Sequence, residues 1–305
     1  MKVRRPYAAA VLAAVTALVL AGCANNEDTE SGGAPAPSGS AAAVDPNAVT
    51  KDDALAGQVA ATISSDGKLV FGTDPSYEPS EIKDSSGKIV GFDVDLGTAI
   101  AKKLGLTAEF QESKFDAILP ALGTRYEIGM SSFTDNPERE KVVDFVTYYQ
   151  AGTQWASKDA QFDPENACGK KVAVQTGTVQ ATDDLPVRVK KCTDGGKPTI
   201  AVQKYDDQTE ATNAVVLGKA DAVLADSPVM AYAVKKVGQG MTLVGDVYDA
   251  APYGIAIPKT AGTTKDAILG AVKALIADGT YKAILDKWGV GTGAITDPVI
   301  NGAAK

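Results

Sequence analysis

The chain has 305 residues, 45% of them hydrophobic and 22% charged, with a formal net charge of -8; that is a soluble composition, long enough for one large or two medium domains. It contains no histidine, which rules out Ser-His-Asp and Cys-His catalysis within the chain and removes the commonest metal ligand. Neither a metal nor another cofactor is expected, and the absence of a basic tract argues against nucleic acid as a partner.

The N-terminus reads as a targeting segment. Lys2, Arg4 and Arg5 precede a short apolar run from Ala8 to Leu20, too short for a comfortable membrane span. The "LAGC" that closes it, Leu20 to Cys23, resembles a bacterial lipobox. That resemblance implies a lipoprotein signal peptide over 1–22, cleavage before Cys23, and a lipid on the Cys23 sulfur that anchors the chain on the extracytoplasmic face of the cell membrane. The following stretch, rich in Ser, Gly, Ala, Pro and Asp, is expected to be a flexible tether over 23–60.

From Lys68 the pattern is that of an α/β sheet. "KLVFGT" (68–73) predicts a strand. "FDVDLGTAIAKKLG" (92–105) predicts a helix with Leu96, Ile100 and Leu104 on one stripe, ended by Gly105. "TAEF" (107–110) is a strand, "FDAILPALGT" (115–124) a short helix interrupted near Pro120, and "YEIGM" (126–130) a strand. After residue 153 the rhythm restarts. Strands are predicted at 170–175, 199–205, 220–226 and 253–258. Helices are predicted at 178–190, 208–219, 227–238, 264–279 and 280–289, with Gly279 and Gly289 as C-terminal stops. Two such blocks suggest two lobes, with crossings near 149–153 and 250–254. Cys168 and Cys192, an even pair in an exported chain, suggest one structural disulfide.

Polar residues cluster after strands, where open α/β sheets bind ligands. In "SSFTDNPERE" (131–140), Asn136 suits a helix cap and Pro137 the first helical position. Arg139 then falls in the first turn, where the helix dipole disfavours a cation. It is either a surface arginine paired with Glu138, Glu140 or Asp144, or a fork-shaped clamp for a carboxylate. Asp226 is a helix cap or, with Ser227 taking the cap before Pro228, a free carboxylate for an ammonium group. "QTGT" (175–178) is a tight turn or an anion-binding helix start. Tyr77 and Phe115 are core or pocket wall, and Asp74 is a turn residue or a ligand group.

"GFDVDLGTAIAKKLG" (91–105) resembles the signature of bacterial extracellular solute-binding proteins of family 3, which serve ABC importers of polar amino acids. "TDPSY", "FDAILPAL", "SSFTDNPERE", "VDFVTYY", "QTGT", "ADAVLAD", "YGIAIPK" and "DGTYKAILDKWG" extend the resemblance from about Gly67 to Gly289. It implies a two-lobed periplasmic-binding-protein fold of type II, each lobe a mixed sheet flanked by helices. Lobe 1 would take 61–150 and 251–305, and lobe 2 would take 151–250. It also implies that Arg139 grips the ligand α-carboxylate with help from Thr178 and Val179. Asp226, aided by Ser132 and Thr134, would take the α-ammonium. Asp74, Tyr77 and Phe115 would surround the ligand side chain. Ser80 replaces a phenylalanine common in the family, and Gln175 stands where relatives vary with substrate. Asp74 with nearby Glu78 would suit a basic side chain, and Gln175 a polar one. The implied partners are a polar or basic L-amino acid and a membrane ABC permease, with the protein monomeric and not an enzyme. The competing readings are a dehydratase-like enzyme on this scaffold and a ligand-sensing subunit of a membrane receptor.

Overall fold

The structure, a computed structural model, describes residues 48–303; the expected signal peptide, Cys23 and the tether as far as residue 47 lie outside them. Residues 48–60, expected as tether, instead pack on the folded part. Asp52 caps helix α1 (Asp53–Ala56), accepting from the amides of Ala54 and Leu55, and Val59 is buried in the core. Leu55 rests on Gly270 so closely that a Cβ there would come within 2.4 Å of its Cδ2. Two apolar side chains in a polar stretch are enough to seat it.

Helix α2 (Ala61–Ser64) leads into strand β1 (Lys68–Thr73). A small antiparallel sheet follows, made of β2 (Ser76–Tyr77), β3 (Glu81–Lys83) and β4 (Ile89–Val90). Helix α3 (Phe92–Lys103) buries Leu96 and Ile100, with Leu104 and Gly105 at its end, the glycine at φ 74°. Then come β5 (Thr107–Glu112), α4 (Phe115–Ile118), a 3₁₀ turn at Pro120 and β6 (Ile128–Gly129), shorter than the five-residue strand expected. Helix α5 (Pro137–Glu140) precedes the 15-residue strand β7 (Val143–Ser157). The second half holds β8 (Lys171–Gln175), α6 (Leu185–Asp194), β9 (Ala201–Tyr205), α7 (Gln208–Val216), β10 (Ala222–Asp226) and α8 (Ser227–Val237). The helix expected over 178–190 begins as a π-helical turn, Gln180–Asp184, before continuing as α6. Strand β11 (Thr242–Pro258), 17 residues long, returns to the first half, and α9 (Thr264–Ala277) and α10 (Thr280–Trp288) finish the helices, with Gly289 at φ 69°.

The large sheet has the order β5-β1-β6-β11-β7-β10-β8-β9. Its outer strands are parallel within each half, and β7 and β11 run antiparallel through the middle of both. The pairing of β11 on β7 breaks between Val244 and Tyr248, between Tyr248 and Ala251, and between Tyr253 and Gly254. Those irregularities fall where one half passes into the other, so the connection is two strands whose ladder is interrupted, a construction that bends more easily than a continuous one. Separate cores sit on either side. One packs α3, α9 and α10 on β1, β6, β7 and β11; others pack α6, α7 and α8 on β8 and β10.

Cys168 and Cys192 are disulfide-bonded, tying the loop before β8 to α6. The bridge spans a sequence separation of 24, for which chain entropy gives about 3 kcal/mol of stabilisation. The Cys168→Ser/Cys192→Ser protein is therefore expected to lose about 3 kcal/mol in urea unfolding followed by circular dichroism, and an unchanged midpoint would refute it.

Candidate functional site

The ends of β1, β6, β8 and β10 converge where the two halves meet. Arg139 stands at the third position of α5, as expected, and the Asn136 carboxamide oxygen accepts its amide at 2.8 Å. None of the three acids proposed as surface partners takes its guanidinium. Glu138 pairs with Lys141, Asp144 pairs with Lys259 and Lys265, and Glu140 accepts the Ala303 amide. The guanidinium turns inward instead. Nη1 donates to the Thr134 carbonyl at 2.9 Å, and Nη2 donates across the interface to the Gly177 carbonyl at 3.0 Å. Its carbon lies 5.5 Å from the Phe115 ring centre and 5.7 Å from that of Phe133, two rings stacked on each other. Dehydration lowers the Arg139 pKa, and the Asp226 charge is the largest influence opposing that; an arginine in such a site remains a cation.

Asp226 closes β10. Its backbone, not that of Ser227, occupies the cap position of α8, yet its carboxylate makes no capping bond. It faces the other half. Tyr77 and Tyr253 hydroxyls each donate to Oδ2 at 2.8 Å, and Gln180 Nε2 donates to Oδ1 at 2.8 Å. Burial raises its pKa, and these donors work against the rise.

Tyr77, Phe115, Ser132, Thr134, Arg139, Thr178, Val179 and Asp226 all line one cavity between the halves, together with Gln180. The cavity measures about 10 Å³, room for a single water. Anything the size of an amino acid enters only if the halves separate.

Asp74 and Gln175 flank this cavity and do not line it. Asp74 is buried; its Oδ2 accepts the Phe115 amide at 3.0 Å and Gln175 Nε2 at 2.8 Å, the latter from the opposite half. Burial pushes the Asp74 carboxyl up to about 6 despite a hydrogen bond with Ser76. The approach of the halves is close here. Gly177 has φ +80° and a Cβ on it would sit 2.7 Å from Asp116 Cβ, so the turn and the contact both require glycine. Glu78 does not reach this site. It pairs with Lys236 of α8 at 2.5 Å. Ser80 is fully buried, its hydroxyl without a partner among the described residues.

Gln180, Tyr253, Ser76 and Thr153 escaped the sequence reading. Gln180 Nε2 bonds Thr153 Oγ1 as well as Asp226, and Ser76 Oγ accepts the Gln208 amide at 3.0 Å. Gln180 was within reach, since it lies in the first turn opened by "QTGT". Tyr253 belongs to the expected crossing at 250–254 and carried no polar signal of its own.

Two α/β lobes on a shared pair of long strands, with opposed charges on the facing walls of one cavity, define a two-lobed solute-binding protein. The chain belongs to the bacterial extracellular solute-binding proteins, family 3, whose family model matches residues 69–291. Among similar proteins, the arginine-binding protein ArgT of Corynebacterium glutamicum is 40% identical over 98% of this chain and 96% of its own length. The L-arginine-binding protein of Pseudomonas aeruginosa is 32% identical over 74% of this chain and 90% of its own. Of solved structures, an ancestral arginine-binding protein bound to arginine superposes with a TM-score of 0.66 at 38% identity, over 73% of this chain and 98% of that one. An ancestral amino acid-binding protein described as a precursor of cyclohexadienyl dehydratase gives 0.63 at 35% identity, over 74% and 97%. Among the described residues no helix is long and apolar enough to cross a membrane.

Proposed function

We propose that this protein is a lipid-anchored, extracytoplasmic receptor that captures an L-amino acid with a cationic side chain, arginine foremost, and delivers it to an ABC permease. The observation that carries the reading is the presence of Arg139 and Asp226 on one cavity, with a buried acid, Asp74, beside it. A free amino acid bears a carboxylate for the first and an ammonium for the second. Asp74 supplies the counter-charge for a basic side chain, and the acceptor role falls to it alone now that Glu78 is engaged elsewhere. The arginine-binding relatives support the same choice. In this reading Thr178 and Val179 assist at the carboxylate, and Ser132 and Thr134 at the ammonium. Tyr77 and Phe115 enclose the side chain, and Gln175 bears on its far end. Residues 61–150 and 251–305 form one lobe and 151–250 the other, hinged on β7 and β11. The lipid on Cys23 holds the receptor at the membrane after residues 1–22 are removed.

Closure desolvates the charged ends of the ligand and strengthens their pairing, so ligand selects the closed form. As a receptor the protein returns its ligand chemically unchanged. Native mass spectrometry of protein purified without refolding is expected to weigh a retained amino acid. In a thermal-shift screen of the twenty amino acids, arginine should give the largest rise, since a ligand at 100 times its dissociation constant adds about 2.7 kcal/mol. Absence of stabilisation by every amino acid would refute the reading, and recovery of a chemically altered ligand would point to an enzyme instead.

A further inference from the structure

Behind the ligand loops lie two acids that the site itself does not use. Glu81 on β3 and Asp93 in the first turn of α3 are both completely buried. They are brought together by Gly91, whose φ of 148° lets the chain pass so near Ser80 that a Cβ would meet the Ser80 carbonyl oxygen at 1.9 Å. The Phe92 and Asp93 amides then donate to the carbonyls of Pro79 and Ser80.

The two carboxyls act on each other: the Asp93 charge helps raise the Glu81 pKa, and Glu81 works against the rise that burial causes at Asp93. Each has one buried oxygen, Oε2 of Glu81 and Oδ1 of Asp93, without a hydrogen-bond partner among the described residues. Two carboxylates repel; a carboxylic acid and a carboxylate bond. The remaining oxygens say which is which. Asp93 Oδ2 receives the Ser132 amide at 2.8 Å, the Ser132 hydroxyl at 3.3 Å and the Tyr148 hydroxyl at 2.8 Å. Glu81 Oε1 receives only the Ser131 hydroxyl, at 2.7 Å. Three donors favour the anion on Asp93 and leave the proton on Glu81. The other titratable groups facing the pair are Asp74 at the end of β1, Tyr77 on β2, and Tyr148 and Tyr149 on β7, and none is a cation.

Both acids reach the ligand loops directly. Ser131 Oγ, held by Glu81, accepts the Asp74 amide at 3.0 Å. Ser132, held twice by Asp93, lines the cavity at φ +52°, a left-handed conformation that a serine keeps only when its surroundings impose it. We propose that Glu81 and Asp93 share one proton and act as a single buried anion that positions Ser131, Ser132 and the Asp74 amide for the ligand. The positioning half rests on the amino-acid-receptor reading; the shared proton does not.

Three proteins test it: wild type, Glu81→Gln and Glu81→Ala. Glutamine can make both bonds proposed for a protonated Glu81, whereas alanine leaves Asp93 Oδ1 without a donor and the Ser131 hydroxyl without its acceptor. Arginine affinity by calorimetric titration is expected to be unchanged in E81Q and about tenfold to a hundredfold weaker in E81A. Equal affinity in E81A and wild type overturns the positioning role. The proton is read without ligand. A buried acid that stays protonated makes the folding constant fall by up to roughly tenfold per pH unit above the unfolded glutamate pKa of about 4.3, and E81Q removes that slope. Parallel stability curves for wild type and E81Q overturn the shared proton. If a variant does not fold, the wild-type infrared spectrum decides: a protonated-carboxyl stretch that persists above neutral pH and shifts in heavy water supports the pair, and its absence overturns it. Should wild type bind no amino acid, the receptor reading fails while the infrared and stability results still judge the pair.

Discussion

Arg139→Ala should abolish measurable amino-acid binding while leaving the fold in place. The guanidinium is the cation on this cavity, and besides the two N–H groups given to Thr134 and Gly177 it has donors enough to hold a carboxylate. Removing it leaves a desolvated carboxylate unpaired, a loss of about 3–5 kcal/mol, or a hundredfold to a few thousandfold in affinity. The structural cost is small by comparison. Arg139 is half-buried and its bonds go to two backbone carbonyls, Thr134 and Gly177, the second of them across the interface that opens. Arg139→Lys keeps the charge but not the fork, so an intermediate loss is expected. Calorimetric titration with arginine, paired with thermal unfolding, gives the answer: retained affinity in the alanine variant would remove the carboxylate clamp from the account.

The second large effect is on selectivity. Asp74→Asn is expected to weaken arginine binding by roughly a hundredfold, the scale of a broken buried charge pair, and to spare glutamine, whose side chain carries no charge. The same residue sets a pH dependence. Its carboxyl is raised to about 6 by burial, with the Ser76 hydrogen bond opposing. A folded pKa above the unfolded one means that Asp74 contributes stability at low pH that is lost as pH rises toward 6. A cationic ligand reverses this by pairing with the anion, so a proton competes with the ligand. Arginine affinity should therefore fall as pH drops below about 6 in wild type, and not in Asp74→Asn. Titrations on either side of that pH test it; a flat profile would place the ligand side chain away from Asp74.

Much of this protein is written locally. The strand "KLVFGT", the stripe Leu96, Ile100 and Leu104, and the stops at Gly105 and Gly289 follow from side-chain periodicity and from the φ > 0 that glycine alone adopts freely. The cap at Asn136 with Pro137 after it placed Arg139 where the dipole opposes a cation, and that local conflict marked the residue. Nonlocal packing decided the rest. The length of β7 and β11 depends on strands from both halves pairing with them, which no window of sequence contains. Residues 48–60 look polar and loose until α9 supplies Gly270 as a seat for Leu55. Glu78 and Asp74 are near neighbours in sequence, yet one meets the exposed Lys236 and the other the buried Gln175, partners that come from distant parts of the chain. Gln180, Tyr253, Glu81 and Asp93 are unremarkable as letters; their roles arise from partners dozens of residues away. Periodicity and capping act over one or two turns, so sequence alone states the elements. Which buried charges meet depends on the burial and pairing of distant groups, and that exists only once the chain has folded.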